Sequence, residues 1–299
     1  MDSITKITAY GPHDVASSAI QAAFASMHRL DATASFHSPT SALSRLNSQR
    51  EIIPDPLLSA IFSAASEAAA LSGGRFDPTF AVLHRSYGFY DGHGRLPPQA
   101  ELASDLALIG WGRVMKQDPG SSGTYFLASG SLVDLAGIAG GFAVRMAADA
   151  MRAASCPAFF IDDGGDLWME GRKPDGRPWR VAVKDPRSDT RPMAIIETFE
   201  PLAISTSGDY ERFIEVDGKR YGHIMDLSTG RPAALYRSVT VLASDPISTE
   251  IFSKTLFTLP PEEALRFADQ HSIAALFLPA TGTTWLTTAG KSQFTEVVQ

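Results

Sequence analysis

Two short runs of strand-forming residues flank the dipeptide Asp217-Gly218. The runs are residues 212–216, with the sequence RFIEV, and residues 219–224, with the sequence KRYGHI. The dipeptide Asp-Gly tolerates the positive φ angles of a tight primed turn, and two such runs around it are typical of a β-hairpin. The pattern therefore predicts a hairpin over residues 212–225.

Polar groups are concentrated on both sides of this predicted hairpin. Residues 205–209, with the sequence STSGD, are predicted to form a turn before it, and His223 and Asp226 lie at its end. We expect the hairpin to bring these groups together, which would gather hydroxyls, an imidazole and two carboxylates at one end. Each motif alone is also typical of an ordinary turn. Their concentration is what predicts a polar functional site.

Length and composition limit the kind of protein and its partners. A chain of 299 residues with 44% apolar residues can bury a large core. The net charge is −7 and basic residues do not cluster, so neither nucleic acid nor an anionic membrane surface is an expected partner. Cys156 is the only cysteine, which excludes an intramolecular disulfide. A small molecule or another protein is the expected partner.

The first residues and the hydropathy of the chain indicate where in the cell we expect the protein. The first residues lack a basic stretch followed by an apolar one, and no window is apolar and long enough to span a bilayer. We therefore expect the chain as written to be cytoplasmic and not to insert into a membrane.

Helical and strand patterns alternate along the chain. Asp55-Pro56 and Asp245-Pro246 are typical helix starts, and residues 158–161 and 238–243 are typical of strands. Residues 132–135 also have strand character. This mixture predicts an α+β fold with mixed, mainly antiparallel sheets and packed helices. We expect residues 1–299 to form a single domain or two intimate lobes.

Four other segments carry residues for which an ordinary structural interpretation is available. Asp77 either fixes the turn before Pro78 or contacts a ligand. The glycines of residues 134–141, at the start of a predicted helix, either admit an anion to backbone N–H groups or allow close helix packing. Glu250 and Lys254 lie one helical turn apart, as a solvated surface pair would. The aromatic, glycine-rich residues 84–98 either cover a planar ligand or form a surface loop.

Several segments, in this order, resemble the ApbE-type FAD:protein FMN transferases over nearly the whole chain. They are SALSRLN (41–47), FDPT (76–79), VDLAGIAGGFAV (133–144), residues 163–186, residues 203–232 and SVTVLA (238–243). The resemblance implies an α+β enzyme of that fold that binds FAD and cleaves its pyrophosphate with Mg²⁺. It would attach FMN through a phosphoester bond to a Ser or Thr hydroxyl of a target protein, with release of AMP.

The resemblance also implies roles for individual residues. His223 and Asp226 would be catalytic, and a His with an ordinary pKa near 6.5 suits the task of accepting the hydroxyl proton. The family's metal positions fall on Gly137, Glu250 and Lys254. The residues expected to contact FAD are Arg75, Phe76, Asp77, Asp134, Gly140, Ser205, Thr206, Ser207, Gly208, Asp209, His223 and Ile224.

The chain departs from the family pattern at charged positions. The family usually carries Lys or Glu where this chain has Gly140, and Asp and Thr where it has Glu250 and Lys254. These changes keep open a second function, an FAD-binding protein of the same fold with weak or no transferase activity. A hydrolase built from Ser207, His223 and Asp226 is disfavoured because the chain has no G-x-S-x-G motif.

Overall fold

The computed structural model describes residues 4–118, 123–186 and 188–297. Its helices are α1 (His13–Ala34), α2 (Ala42–Gln49), α3 (Pro56–Leu71), α4 (Ala81–Tyr87), α5 (Gln99–Leu106), α6 (Trp111–Val114), α7 (Ala136–Ala153), α8 (Pro246–Thr258) and α9 (Pro261–Gln270). Short 3-10 helices cover Pro78–Phe80 and Gly290–Ser292.

The strands occur before, between and after these helices. They are β1 (Thr5–Tyr10), β2 (Glu51–Ile52), β3 (Met115–Gln117), β4 (Tyr125–Leu127), β5 (Ala158–Asp163), β6 (Asp166–Gly171), β7 (Trp179–Asp185), β8 (Ser188–Thr198), β9 (Leu202–Gly208), β10 (Phe213–Val216), β11 (Lys219–Gly222), β12 (Met225–Asp226), β13 (Arg231–Pro232), β14 (Tyr236–Ala243), β15 (Ala274–Pro279) and β16 (Trp285–Leu286).

Contacts divide the chain into two compact units. The first unit comprises residues 30–139 and 209–234, and the second comprises residues 2–29, 140–208 and 235–299. Within the described residues, no helix is long and apolar enough to cross a membrane. The prediction of one domain or two intimate lobes stays a prediction.

The second unit is built on a seven-stranded sheet in the order β1-β5-β6-β9-β14-β15-β16, in which every neighbouring pair is antiparallel. Helix α8 packs against β9 and β14. The β7–β8 ribbon shares a hydrophobic cluster with the sheet that includes Met169, Ile196, Ile204 and Leu276. Because side chains alternate along β9, α8 and the ribbon cover opposite faces of the sheet.

The first unit combines short sheets with helices. Strands β2, β4 and β3 form one antiparallel sheet, and β10 pairs with β11, and β12 with β13. A hydrophobic cluster that includes Leu83, Tyr87, Ile214 and Met225 joins α4 to the β10–β11 hairpin and to β12. This cluster fixes the hairpin on a packed base.

The structure confirms the predicted hairpin and the two predicted helix starts. Strands β10 and β11 form the predicted hairpin, with φ of 52° at Asp217 and 74° at Gly218. The Asp55 side chain accepts a hydrogen bond from the Leu58 N–H at the start of α3. The Asp245 side chain does the same for Ile247 at the start of α8. The α+β fold class is also confirmed.

Two predictions of local structure are wrong. Residues 205–208 are not a turn: they end strand β9 inside the large sheet, where Ser205 pairs with Val241. Residues 132–135 are not a strand, and α7 begins at Ala136. Gly137, Gly140 and Gly141 lie near the start of this helix. In residues 205–208, pairing within the sheet overrides the local preference of small residues for turns.

Candidate functional site

The end of the predicted hairpin holds the imidazole of His223 in one orientation. The backbone N–H of His223 donates to the carbonyl of Arg212 at 3.0 Å, and Nδ1 lies 3.1 Å from the same oxygen. Because a carbonyl only accepts, Nδ1 carries a proton, and in the neutral form of the ring the lone pair is therefore on Nε2. The half-buried side chain thus has the tautomer that a base acting through Nε2 requires.

His84 supports this arrangement from α4. Its Nε2 lies 2.6 Å from the carbonyl oxygen of His223, so Nε2 carries a proton and donates it. Burial lowers the pKa of His84, chiefly by desolvation, which keeps the ring neutral. His84 was not among the predicted site residues and lies at the start of the aromatic segment 84–98. The aromatic residues around it were the available signal, because a histidine in such surroundings is a typical buried donor.

Asp226 and Arg75, predicted for catalysis and for FAD contact, are in direct contact. The Oδ1 atom of Asp226 accepts hydrogen bonds from Ser228 N–H at 3.0 Å, from Ser228 Oγ at 2.6 Å and from Arg75 at 3.2 Å. The Ser228 bonds form an ordinary turn around an aspartate. They show a structural task for Asp226, and its catalytic role stays a prediction.

Asp77 is occupied by bonds within the first unit. Its Oδ1 accepts from Thr79 N–H at 2.9 Å and from Thr79 Oγ1 at 2.5 Å, and its Oδ2 accepts from Trp111 N–H at 2.6 Å. The side chain is buried, and so is the neighbouring ring of Phe76. These bonds support the interpretation that Asp77 fixes the turn before Pro78. Contact of Asp77 or Phe76 with FAD stays a prediction.

Asp134 connects the start of α7 to the aromatic segment after α4. Its Oδ1 accepts from Ala136 N–H at 2.8 Å, and its Oδ2 accepts from Tyr90 Oη at 2.8 Å. Burial and the Asp134 charge raise the pKa of Tyr90, so the phenol stays a donor. Tyr90 also stacks on Phe36 with a centroid separation of 4.4 Å. The sequence indicated this aromatic segment but not Tyr90 itself.

In the second unit, strand β9 directs its hydroxyls to two faces. Ser205 and Ser207 are buried, with Oγ atoms 3.3 Å and 2.9 Å from Ser253 Oγ on α8. Thr206 points to the other face and bonds to Thr240 at 2.9 Å. The serine hydroxyls therefore join the sheet to α8. The proposed lining of a flavin site by these residues stays a prediction.

The structure also shows where the last three residues predicted to contact FAD lie. Gly208 is the last residue of β9 and pairs with Ser238. Asp209 lies in the first unit, where its backbone approaches Gly222. Ile224 is buried, and its carbonyl accepts from Ala233 N–H at 2.8 Å. None of these contacts tests a role in binding FAD.

Glu250 and Lys254 form a largely buried pair, which corrects the interpretation of a solvated surface pair. The Glu250 side chain is 3% exposed, and its Oε1 lies 3.1 Å from Lys254 Nζ. Its Oε2 accepts a hydrogen bond from the N–H of Gly141. Helices α7 and α8 are thus connected by one carboxylate that uses both of its oxygens.

Asp166 lies beside this pair, in space that is open because Gly140 has no side chain. A Cβ atom on Gly140 would lie 2.5 Å from Asp166 Oδ2 and 3.2 Å from Glu250 Oε1, so the carboxylates use the space that a side chain would fill. Burial, followed by the charge of Glu250, raises the pKa of Asp166 to about 7, and the charge of Lys254 opposes this. Asp166 was not among the predicted site residues, although it lies in the carboxylate-rich segment DDGGD.

The side chains present do not fit the Mg²⁺ that the resemblance implies. A charged Lys254 ammonium has no lone pair to offer a metal, and both Glu250 oxygens already accept hydrogen bonds. In the described part of the chain, no group of three or more His, Cys, Asp or Glu side chains is arranged to hold a metal ion. Gly137 has no side chain and adds no ligand of that kind.

A family model and similar proteins of known sequence indicate the same family for this chain. The family model described as "ApbE family" matches residues 1–277. The FAD:protein FMN transferase of Vibrio cholerae serotype O1 is 30% identical over 256 residues, which cover 81% of this chain and 73% of that protein. The FAD:protein FMN transferase of Salmonella typhimurium is 29% identical over 258 residues, with coverages of 82% and 73%.

Solved structures agree with the sequence comparison. The crystal structure of the ApbE protein from Thermotoga maritima matches with a TM-score of 0.87 and 28% identity, over 97% of this chain and 94% of that one. The Pseudomonas stutzeri flavinyl transferase ApbE, in its apo form, matches with a TM-score of 0.84 and 28% identity, over 99% and 98%. Family model, relatives and fold all agree, and the chain belongs to the ApbE family.

Proposed function

We propose that this chain is an FAD:protein FMN transferase, which moves the FMN half of FAD to a Ser or Thr hydroxyl of an acceptor protein. The observation that carries the proposal is the similarity, over most of the chain, to several relatives that bear this name. The orientation of His223 supports it, because the reaction needs a group that accepts the hydroxyl proton.

The reaction balances with the groups present. The acceptor oxygen attacks the phosphorus atom on the FMN side of the FAD pyrophosphate, and a new oxygen–phosphorus bond forms. The bond from that phosphorus to the bridging oxygen breaks, and AMP leaves with the electron pair. Nε2 of His223 takes the proton of the acceptor hydroxyl. Positioning and charge neutralisation contribute most of the catalysis in such transfers.

No step is assigned to a divalent cation, because the side chains at the implied metal positions do not fit one. This mismatch favours a second candidate, an FAD-binding protein that performs the transfer weakly or not at all. Both candidates bind FAD, and they differ in whether AMP appears.

Co-expression with candidate acceptor proteins tests the proposal. After denaturing electrophoresis, the acceptor band should show flavin fluorescence, since a phosphoester bond survives denaturation. The purified chain with FAD and that acceptor should release AMP in equal amount to the fluorescent product. The matched control is the acceptor with its modified Ser or Thr replaced by Ala. Tight FAD binding without AMP and without a fluorescent band would identify the binding protein instead.

A further inference from the structure

The buried charges around α8 differ from the family pattern at two places that face the same carboxylates. The resemblance to the family implies Lys or Glu at the position of Gly140 and a metal-binding Thr at the position of Lys254. A Cβ atom on Gly140 would touch Asp166 and Glu250, and the Lys254 ammonium binds Glu250. The charge of Lys254 also acts on Asp166. The positive charge of this cluster therefore comes from α8.

The ammonium is held in place and not free to point into solvent. Lys254 Nζ donates to Glu250 Oε1 at 3.1 Å, and the lysine side chain is only 24% exposed. Glu250 is fixed in turn, because its other oxygen accepts the N–H of Gly141. Pairs one helical turn apart hold this geometry without strain. Lys254 thus presents a fixed positive charge in this cluster.

A divalent cation at the same place would meet two obstacles. The ammonium that already binds Glu250 Oε1 repels it, and Lys254 has no lone pair to offer. A pyrophosphate nevertheless needs positive charge close to it. Lys is a common phosphate-binding residue that acts as a point charge.

We propose that the ammonium of Lys254, held by Glu250, takes the place of the divalent cation and binds the FAD pyrophosphate, so that FAD binding needs no metal. This inference rests on the proposed function, since it takes FAD as the ligand. It makes Lys254 a binding residue of this chain that the family pattern lacks.

Titration of the full chain with FAD, in excess EDTA and then in excess MgCl₂, is the first test. Flavin fluorescence should give the same Kd in both buffers within about twofold. A Lys254→Met variant should bind FAD about tenfold or more weakly in EDTA, because a hydrogen bond to a charged group is lost. Lys254→Arg should keep most of the affinity. Lys291→Met, at an exposed position of the same unit, is the matched control for the loss of one charge.

Electron paramagnetic resonance with Mn²⁺ is the second test and does not depend on activity. The wild-type chain with FAD should leave Mn²⁺ free, whereas the double variant Glu250→Asp with Lys254→Thr should bind it and should need a divalent cation for FAD binding. Mn²⁺ bound by the wild-type complex, or tightening of its FAD binding by Mg²⁺ of about tenfold or more, overturns the inference.

Different results reject the role of Lys254 and the proposed transferase function. Transfer that stops in EDTA and returns with Mg²⁺ keeps the transferase and rejects the role of Lys254. FAD binding that ignores EDTA, without AMP release from any acceptor, keeps Lys254 and rejects the transferase. Absence of FAD binding in both buffers rejects both.

Discussion

Two histidines meet at the hairpin end, each with one ring nitrogen hydrogen-bonded to a different backbone carbonyl, that of His223 for His84 and that of Arg212 for His223. His223 is half-buried and oriented through Nδ1, so its Nε2 can gain a proton during the reaction. His84 is buried and donates through Nε2 to the carbonyl of His223, and burial disfavours its charged form. The first is suited to proton transfer and the second to holding the first in place.

Replacement of His223 by Ala should remove transfer and spare binding. A general base contributes about 10²–10⁴-fold to a rate, so AMP release and acceptor fluorescence should fall by that factor. FAD affinity, measured by fluorescence titration, should stay close to that of the wild type. His93→Ala, whose side chain is 88% exposed, is the control. Full transfer by the His223 variant would leave His223 with a purely structural task.

The protein should become less stable as the pH drops below about 6.5, because His84 is buried in its neutral form. Above about pH 6.5, the ordinary His pKa, neither the folded nor the unfolded state holds the proton. As the pH drops below that value, the unfolded chain takes up the proton first, since the folded pKa is lower. The free energy of unfolding therefore decreases until the pH reaches the folded pKa.

Urea denaturation at several pH values measures this effect. His84→Gln keeps an N–H donor for the His223 carbonyl but cannot titrate, so its stability should decrease less between about pH 7 and about pH 5. The difference between the two profiles is the relevant quantity, because all other groups titrate in both proteins. Parallel profiles would mean that His84 does not contribute.

At the scale of elements, close contact between α7 and α8 depends on a glycine. A Cβ atom on Gly141 would lie 2.7 Å from Ile247 Cα and 2.7 Å from the carbonyl oxygen of Pro246. Both are backbone atoms, which cannot move without displacing the start of α8. The same contact brings the Gly141 N–H to Glu250. Of the two interpretations of these glycines, close helix packing is the one the contacts support for Gly141.

Gly141→Ala should therefore destabilise the protein. Overpacking of this kind costs about 1–3 kcal/mol, to be measured as the free energy of unfolding in urea. Gly112→Ala in α6 is the matched control, because a Cβ there meets no atom within 4 Å. The control should be as stable as the wild type or slightly more so, since Ala restricts the unfolded chain. Equal stability of both variants would show that α7 and α8 can move apart without cost.

For the whole molecule, the ligand that stabilises the fold should be the intact dinucleotide. The proposed reaction begins with FAD, and a ligand at about a hundred times its Kd stabilises the native state by about 2.7 kcal/mol. Thermal unfolding with equal concentrations of FAD and FMN should give the larger rise in Tm with FAD. An equal or larger rise with FMN would remove the adenosine half from the binding model.

Much of the fold was predictable because its causes are local. Asp217-Gly218 determines a hairpin through the backbone angles that these two residues accept, and Asp55 and Asp245 mark helix starts through bonds to N–H groups two or three residues away. The ordered segments that resemble the ApbE family carried the fold class and the candidate residues. These inferences needed no knowledge of which elements touch.

Only the tertiary structure decided how the candidate residues are used. The small polar residues of β9 have turn character, but they form a strand because β14 pairs with them, and Thr206 and its neighbour Thr240 are 34 residues apart in the sequence. Within that strand Ser205 and Ser207 face α8, whereas Thr206 points to the other face. The sequence spacing of Glu250 and Lys254 is typical of a surface pair. The fold buries Glu250 and brings its carboxylate to the N–H of Gly141, which is 109 residues away in the sequence. The sequence by itself determined turns, caps and family, because these depend on neighbours along the chain. Burial and charge pairing depend on residues distant in sequence, so the tertiary structure alone decided them.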